Sequence, residues 1–343
     1  MLDLTGPARP WPQALVDRFG DAHRRALDEA DCWGTPPPQG DPRLLAQLSD
    51  MFGAPVGRTV VIGGVRQFAG SWAGRTRIAL VEQPGFAEIG PILGGAADVQ
   101  AMPWERLPEA ARRQSEHVTV WVTSPQRNPD GRSLDGAERA SLAELASEGH
   151  HVIVNQVYRW FAPLEPLPSG CWGVTSLAKL CGGGSRLGWA TLPDEDTVLP
   201  MLRGSGPATL WQRAWADFLS PRTFESLHRA CVEPTLEARR IFTDRMGELL
   251  GWELPAGGMS LVLVWDGMTE KRVLAEFEAQ GLRVGPGSAF GAEPGSIRLA
   301  FSGVDASEAA QAADRVARLA SRAAGALAPC GSRSPQRPGS SRG

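Results

Sequence analysis

Lysine is nearly absent from this chain: it occurs only at Lys179 and Lys271, and arginine carries almost all of the positive charge. Lys179 lies in the run Gly173-Val174-Thr175-Ser176-Leu177-Ala178-Lys179-Leu180-Cys181-Gly182-Gly183-Gly184-Ser185-Arg186-Leu187-Gly188-Trp189. An arginine stays protonated. A lysine can lose its proton in a suitable environment and attack a carbonyl as a Schiff-base amine. Ser176 and Arg186 flank it with a hydroxyl and a guanidinium, both suited to a phosphate. Taken alone, the stretch also reads as a strand, a glycine turn and an incidental surface lysine.

A carbonyl beside a phosphate describes pyridoxal 5′-phosphate (PLP). Ser-x-x-Lys, a glycine-rich turn and Arg-x-Gly-Trp together resemble the cofactor-lysine region of the class I/II aminotransferases, which are fold type I PLP enzymes. Further stretches carry the resemblance, in order, from about residue 33 to 303. The strand Thr59-Val60-Val61-Ile62 runs into Gly63-Gly64-Val65-Arg66, and a helix starting there offers free N–H groups to an anion. The turn Glu82-Gln83-Pro84-Gly85-Phe86 resembles the family's Glu-x-Pro-x-aromatic turn. Ser124-Pro125-Gln126-Arg127-Asn128-Pro129-Asp130-Gly131 is similar to Ser-Pro-x-x-Asn-Pro-x-Gly. Asn155-Gln156-Val157-Tyr158 stands where Asp-Glu-x-Tyr is usual, and Tyr158 is the chain's one tyrosine. Pro286-Gly287-Ser288-Ala289-Phe290 and Ile297-Arg298-Leu299 complete the set.

The resemblance implies a role for each position. Lys179 would hold PLP as a Schiff base and act as the base at Cα. Gly64, Val65, Arg66, Ser176 and Arg186 would hold the phosphate. Asn128 and Tyr158 would bond the 3′ oxygen, Asn155 would meet the ring nitrogen, and Phe86 would stack on the ring. Arg298 would bind the substrate carboxylate, with Asn128 beside it. Trp33 stands about where a tyrosine usually reaches into the neighbouring subunit's site; simple packing by Trp33 or Phe86 explains those residues equally well. The implied protein is a homodimer with a shared site, acting on an amino acid and a 2-oxo acid.

The departures concern chemistry. The family's aspartate at the ring nitrogen is Asn155 here. A neutral amide supplies no charge to keep that nitrogen protonated, so the ring becomes a weaker electron sink. A charge-assisted hydrogen bond is worth about 1.5–3 kcal/mol against roughly 1 for a neutral one, enough to slow a carbanion step about tenfold or more. Arg186 also lies one residue closer to the lysine than is usual. The reading is therefore an aminotransferase, with a PLP-dependent lyase, cyclase or decarboxylase of a biosynthetic pathway as the alternative. A degenerate non-catalytic member is the third reading.

The elements that must position these groups follow from periodicity. Short apolar strands alternate with helices, which predicts an α/β fold with a mostly parallel sheet sandwiched by helices. The expected organisation is an N-terminal segment (1–40) packing with the small domain, a large PLP-binding domain (41–220), a smaller α+β domain (221–328) and a disordered tail (329–343). Asp135 and Glu138 make a capping-box start for a helix to about Glu148. One long helical region is expected from Ala208 to Leu250, and a closing helix from Ala306 to Leu327. At 343 residues and 42% hydrophobic the chain can bury a core. A net charge of −3 gives no basic stripe for nucleic acid. No apolar run approaches the roughly 20 residues of a membrane span. The N-terminus does not read as a signal peptide, and the scattered cysteines read as reduced, so a cytoplasmic location is expected. The five histidines show no metal-ligand spacing, and no metal site is expected.

Overall fold

The computed structural model describes residues 1–163, 165–194, 206–255, 257–322 and 327–329. A seven-stranded sheet is built from β2 (Thr59–Ile62), β3 (Ile78–Glu82), β4 (Asp98–Met102), β5 (Thr119–Thr123), β6 (His151–Asn155), β7 (Trp172–Ser176) and β8 (Gly188–Thr191). Its order is β2-β8-β7-β6-β5-β3-β4. All neighbours pair in parallel except β8, which is antiparallel to both β2 and β7. Strands β5 and β7 are buried at every residue, as strands of a parallel sheet covered on both faces must be, and so is the end strand β2. Trp72, Trp121, Trp189 and Trp215 are among the largest fully buried side chains. The α/β architecture read from the alternation is the one observed.

A five-stranded sheet of order β1-β10-β11-β9-β12 forms the smaller layer, from β1 (Leu2–Leu4), β9 (Ser260–Trp265), β10 (Leu282–Pro286), β11 (Ser296–Ala300) and β12 (Leu327–Pro329). The helices α10 (Glu233–Leu250), α11 (Glu270–Ala279) and α12 (Ala306–Arg322) accompany it. Leu2 and Leu4 share its core with Phe242, Phe277 and Phe301.

Several expected boundaries shift, each for a local reason. The N-terminal segment is shared between the two layers. β1 pairs with β10, but α1 (Gln13–Leu27) packs against α8 (Thr209–Phe218), and its Leu15 and Ala22 join the core of the larger domain. The single helical region expected over 208–250 is interrupted. α8 ends at Phe218, and Ser220 then caps α9 (Pro221–Leu227), with Pro221 at the first turn. A π-helical turn, His228–Val232, joins α9 to α10. At the C-terminus, α12 stops by Arg322 and Leu327–Pro329 returns as β12 against β9. Pro329 is thus in a strand rather than the tail, while 330–343 lies outside the described residues. The helix from Asp135 has its capping box in place, with Asp135 and Glu138 each accepting the other's backbone N–H.

Parallel strands end at one edge. Glu82, Thr123, Asn155 and Ser176 close β3, β5, β6 and β7 there. Because β8 runs the other way, Gly188 begins it at the same edge, opposite both Ser176 and Ile62. The sheet itself thus gathers Gly63-Gly64, Asn155, Ser176 and Arg186 where such sheets bind ligands.

Candidate active site

A cavity of about 330 Å³ opens at this edge. Gly64, Val65, Arg66 and Arg186 line one part of it, and Phe86, Asn155, Tyr158, Ser176 and Lys179 line the rest. Lys179 sits in α7 (Ala178–Cys181) directly after β7, with Nζ 5.5 Å from the Tyr158 ring centroid. Tyr158 is buried. The turn holding the lysine is set by Ser176, whose Oγ accepts from the Ala178 N–H at 3.3 Å.

The anion-receiving end is made by backbone and guanidinium together. α3 (Val65–Trp72) begins at Gly64, whose φ of 115° lies in the region that favours glycine. Phe68 N–H is bonded to the Gly64 carbonyl at 3.1 Å, so the N–H groups before it have no acceptor in the helix and face the cavity end. Arg186 takes a left-handed backbone (φ 41°) that turns it over this end. Its Nη2 is 3.8 Å from where a Cβ on Gly63 would stand. Arg66, by contrast, is ion-paired with the exposed Glu88 and lies 5.3 Å from the Phe86 ring centroid.

Asn155 is 1% exposed. Its Nδ2 donates to Thr123 Oγ1 at 3.3 Å and its Oδ1 accepts from Val157 N–H at 3.2 Å. One Nδ2 hydrogen is left for the cavity. Thr123 links it to Glu82, whose carboxylate accepts from Thr123 N–H at 2.8 Å and from Trp104 Nε1 at 2.6 Å. Burial pushes Glu82 up to about 7, against the pull of Arg127 and these hydrogen bonds.

Arg298 and Asn128 form a buried pair, Nε donating to Oδ1 at 2.6 Å. Neither lines the cavity itself. Arg298 stands directly behind Gly6, which does: a Cβ on Gly6 would be 3.6 Å from both terminal nitrogens of Arg298. Nη1 donates to the Thr5 carbonyl at 3.0 Å. Burial lowers the Arg298 pKa, and Tyr158 opposes this. Trp33 is 79% exposed and is not brought to the cavity of its own chain.

The sequence reading missed one wall altogether. Gly6, Pro7, Ala8 and Arg9 cross the cavity with Met259 and Ser302 of the smaller layer, and the π-helical turn adds Cys231. Ser302 Oγ donates to the Pro7 carbonyl at 2.8 Å, tying this segment down. Gly6-Pro7 was legible as a turn signal, but nothing local says which site the turn covers.

Among the described residues the cavity lining contains Arg9, Arg66, Lys179 and Arg186 and no aspartate or glutamate. An anion with a reactive carbonyl suits that set. PLP fits it: the α3 N-terminus, Ser176 and Arg186 suit the phosphate, Lys179 the carbonyl, and Tyr158 and Asn155 the ring's polar atoms. Among the described residues there is no cluster of side chains that would hold a metal ion, and no helix is long and apolar enough to cross a membrane.

No curated relative matches the chain by sequence. Among solved structures, a double mutant of Thermus thermophilus aspartate aminotransferase matches with a TM-score of 0.76 at 22% identity, covering 93% of this chain and 91% of that one. The α-aminoadipate aminotransferase of Thermus thermophilus, solved with N-(5′-phosphopyridoxyl)-L-leucine, matches at 0.76 and 17%, covering 94% and 92%. An archaeal alanine:glyoxylate aminotransferase matches at 0.77 and 19%, covering 94% and 91%. These likenesses establish the fold. Residues 8–316 match the family described as aminotransferase class I and II, and the chain belongs to that family of PLP-dependent transferases.

Proposed function

We propose that this protein transfers the amino group of an amino acid to a 2-oxo acid. The observation that carries the reading is the placement of Lys179 Nζ against Tyr158, in a cavity whose other end is an anion cradle of α3 N–H groups, Ser176 and Arg186. When bound, PLP supplies an electron sink for the charge left at the substrate's Cα. The chain's own groups do the rest. Lys179 Nζ takes the proton from Cα and returns it on the far side of the exchange. Arg298, oriented by Asn128, holds the substrate carboxylate, for which its Nη1 exchanges the Thr5 carbonyl. Tyr158 and Asn128 hold the 3′ oxygen, and Phe86 covers one face of the ring.

Asn155 favours a second reading. The amide gives the ring nitrogen one neutral donor and no charge, which weakens the sink and counts against ordinary transamination, leaving elimination, cyclisation or decarboxylation as the second reading. The retained Lys179, Tyr158, Asn128 and Arg298 speak against a non-catalytic member. We further propose a homodimer in which Trp33, exposed in its own chain, contacts the partner's cavity. The test is to load the purified protein with PLP, add single amino acids and follow conversion of the bound aldehyde to its amine. Conversion that reverses with a 2-oxo acid supports transamination. Substrate consumption with the aldehyde retained supports the second reading.

A further inference from the structure

Three tryptophans donate to the backbone that carries the lysine. Trp160 Nε1 bonds to the Ser176 carbonyl at 3.1 Å, Trp11 Nε1 to the Cys181 carbonyl at 3.0 Å and Trp211 Nε1 to the Ser185 carbonyl at 2.8 Å. The first fixes the end of β7, where the chain leaves the sheet. The other two bracket the glycine turn. α7 is a single turn and leaves its last carbonyls without intrahelical partners. Gly183 and Gly184 have nothing within 4 Å of a Cβ position, and at Gly182 only Ala8 comes within that range, 3.6 Å away. Packing around the turn is thus thin, and indole N–H groups hold its ends. One aromatic cluster between α1 and α8 aims Trp11 and Trp211. Trp11 stacks on Phe218 at 5.6 Å, Phe19 meets Trp11 at 6.0 Å and Trp211 at 5.2 Å edge-on, and Trp215 lies edge-on to both indoles.

Each of these two bonds fixes a peptide plane next to a group proposed to hold the cofactor. The Ser185 carbonyl belongs to the peptide that leads into Arg186, whose backbone is left-handed. Turning that plane swings the guanidinium away from the start of α3. The Cys181 carbonyl closes the one helical turn that holds Lys179. We infer that Trp11 and Trp211 are positioning residues for the cofactor, Trp211 setting Arg186 against the phosphate and Trp11 setting Lys179 against the aldehyde. This rests on the proposed PLP site at the same cavity. Trp215 supplies an internal comparison: it is buried in the same cluster, and its Nε1 has no hydrogen-bond partner among the described residues.

The test replaces each indole by a ring that keeps most of the packing and loses the N–H: Trp11→Phe, Trp211→Phe and, for comparison, Trp215→Phe. Absorbance titrations with PLP and with pyridoxal, which lacks the phosphate, give two affinities for each protein. Trp211→Phe should weaken PLP about tenfold, the scale of one buried hydrogen bond, and leave pyridoxal unchanged. Trp11→Phe should weaken both aldehydes by a similar factor and move the pH midpoint of the lysine-bound band, because it acts at the amine. Trp215→Phe should do neither. The ratio of the two affinities cancels any loss of stability that both share. If all three variants lower both affinities by one common factor, the tryptophans only pack, and the inference falls. It also falls if Trp211→Phe keeps the wild-type ratio, or if Trp11→Phe keeps the wild-type affinities and pH midpoint. No lysine-bound band in wild type with either aldehyde would instead remove the proposed PLP site.

Discussion

Asn155 spends both ends of its amide at the strand terminus, on Thr123 and on the Val157 N–H. An aspartate could accept from the same two partners, since the Thr123 hydroxyl can donate. Asn155→Asp is therefore expected to fold normally and to speed loss of the Cα proton about tenfold, measured by exchange of that proton with deuterated solvent. An unchanged exchange rate would remove Asn155 from the ring nitrogen. Glu82 offers an independent test of the edge of the site. Its folded value, about 7, lies above the ordinary carboxylate value, so its protonated form favours the fold. That contribution is fully present below about pH 4 and is lost as pH rises through 7. Denaturant titrations at pH 5 and pH 8 should show wild type losing up to roughly 3 kcal/mol over this range relative to Glu82→Gln. Parallel pH profiles for the two proteins would contradict the assignment. Only the first of these effects was legible in the sequence. Asn155 was readable as a departure, but Glu82 looks like a turn residue until β3, β5 and Trp104 close around it.

The close approach of β7 and β8 places the lysine. Gly188 lies opposite Ser176, and a Cβ there would come 2.3 Å from the Thr175 carbonyl and 2.9 Å from Ser176 Cβ. Gly188→Ala must push the strands apart, at a cost of about 2–3 kcal/mol, and should weaken PLP binding with it. Gly183, in the turn that follows the lysine, has nothing within 4 Å of its Cβ position. Gly183→Ala should change stability by less than about 0.5 kcal/mol. Equal melting temperatures for the two variants would contradict this account of the turn. Elements with strong local signals were readable: the capped helix at Asp135 and the buried strands. Those that depend on distant pairing were not. β4 is a polar edge strand with no fully buried residue, and β1 exists because β10 accepts it across most of the chain length.

At the scale of the molecule, the sequence order of the matched stretches defines the fold because a parallel sheet brings successive strand ends to one edge. The wall made by Gly6–Arg9 closes from the other layer and depends on contacts such as Ser302 to Pro7, which no local pattern announces. Lys179 is the residue on which the proposed chemistry rests. The decisive measurement is the visible absorption spectrum of the purified protein with PLP, compared with that of Lys179→Ala. A band from lysine-bound cofactor that vanishes in the variant is the predicted result. No such band in wild type, or the same band in both proteins, would contradict it.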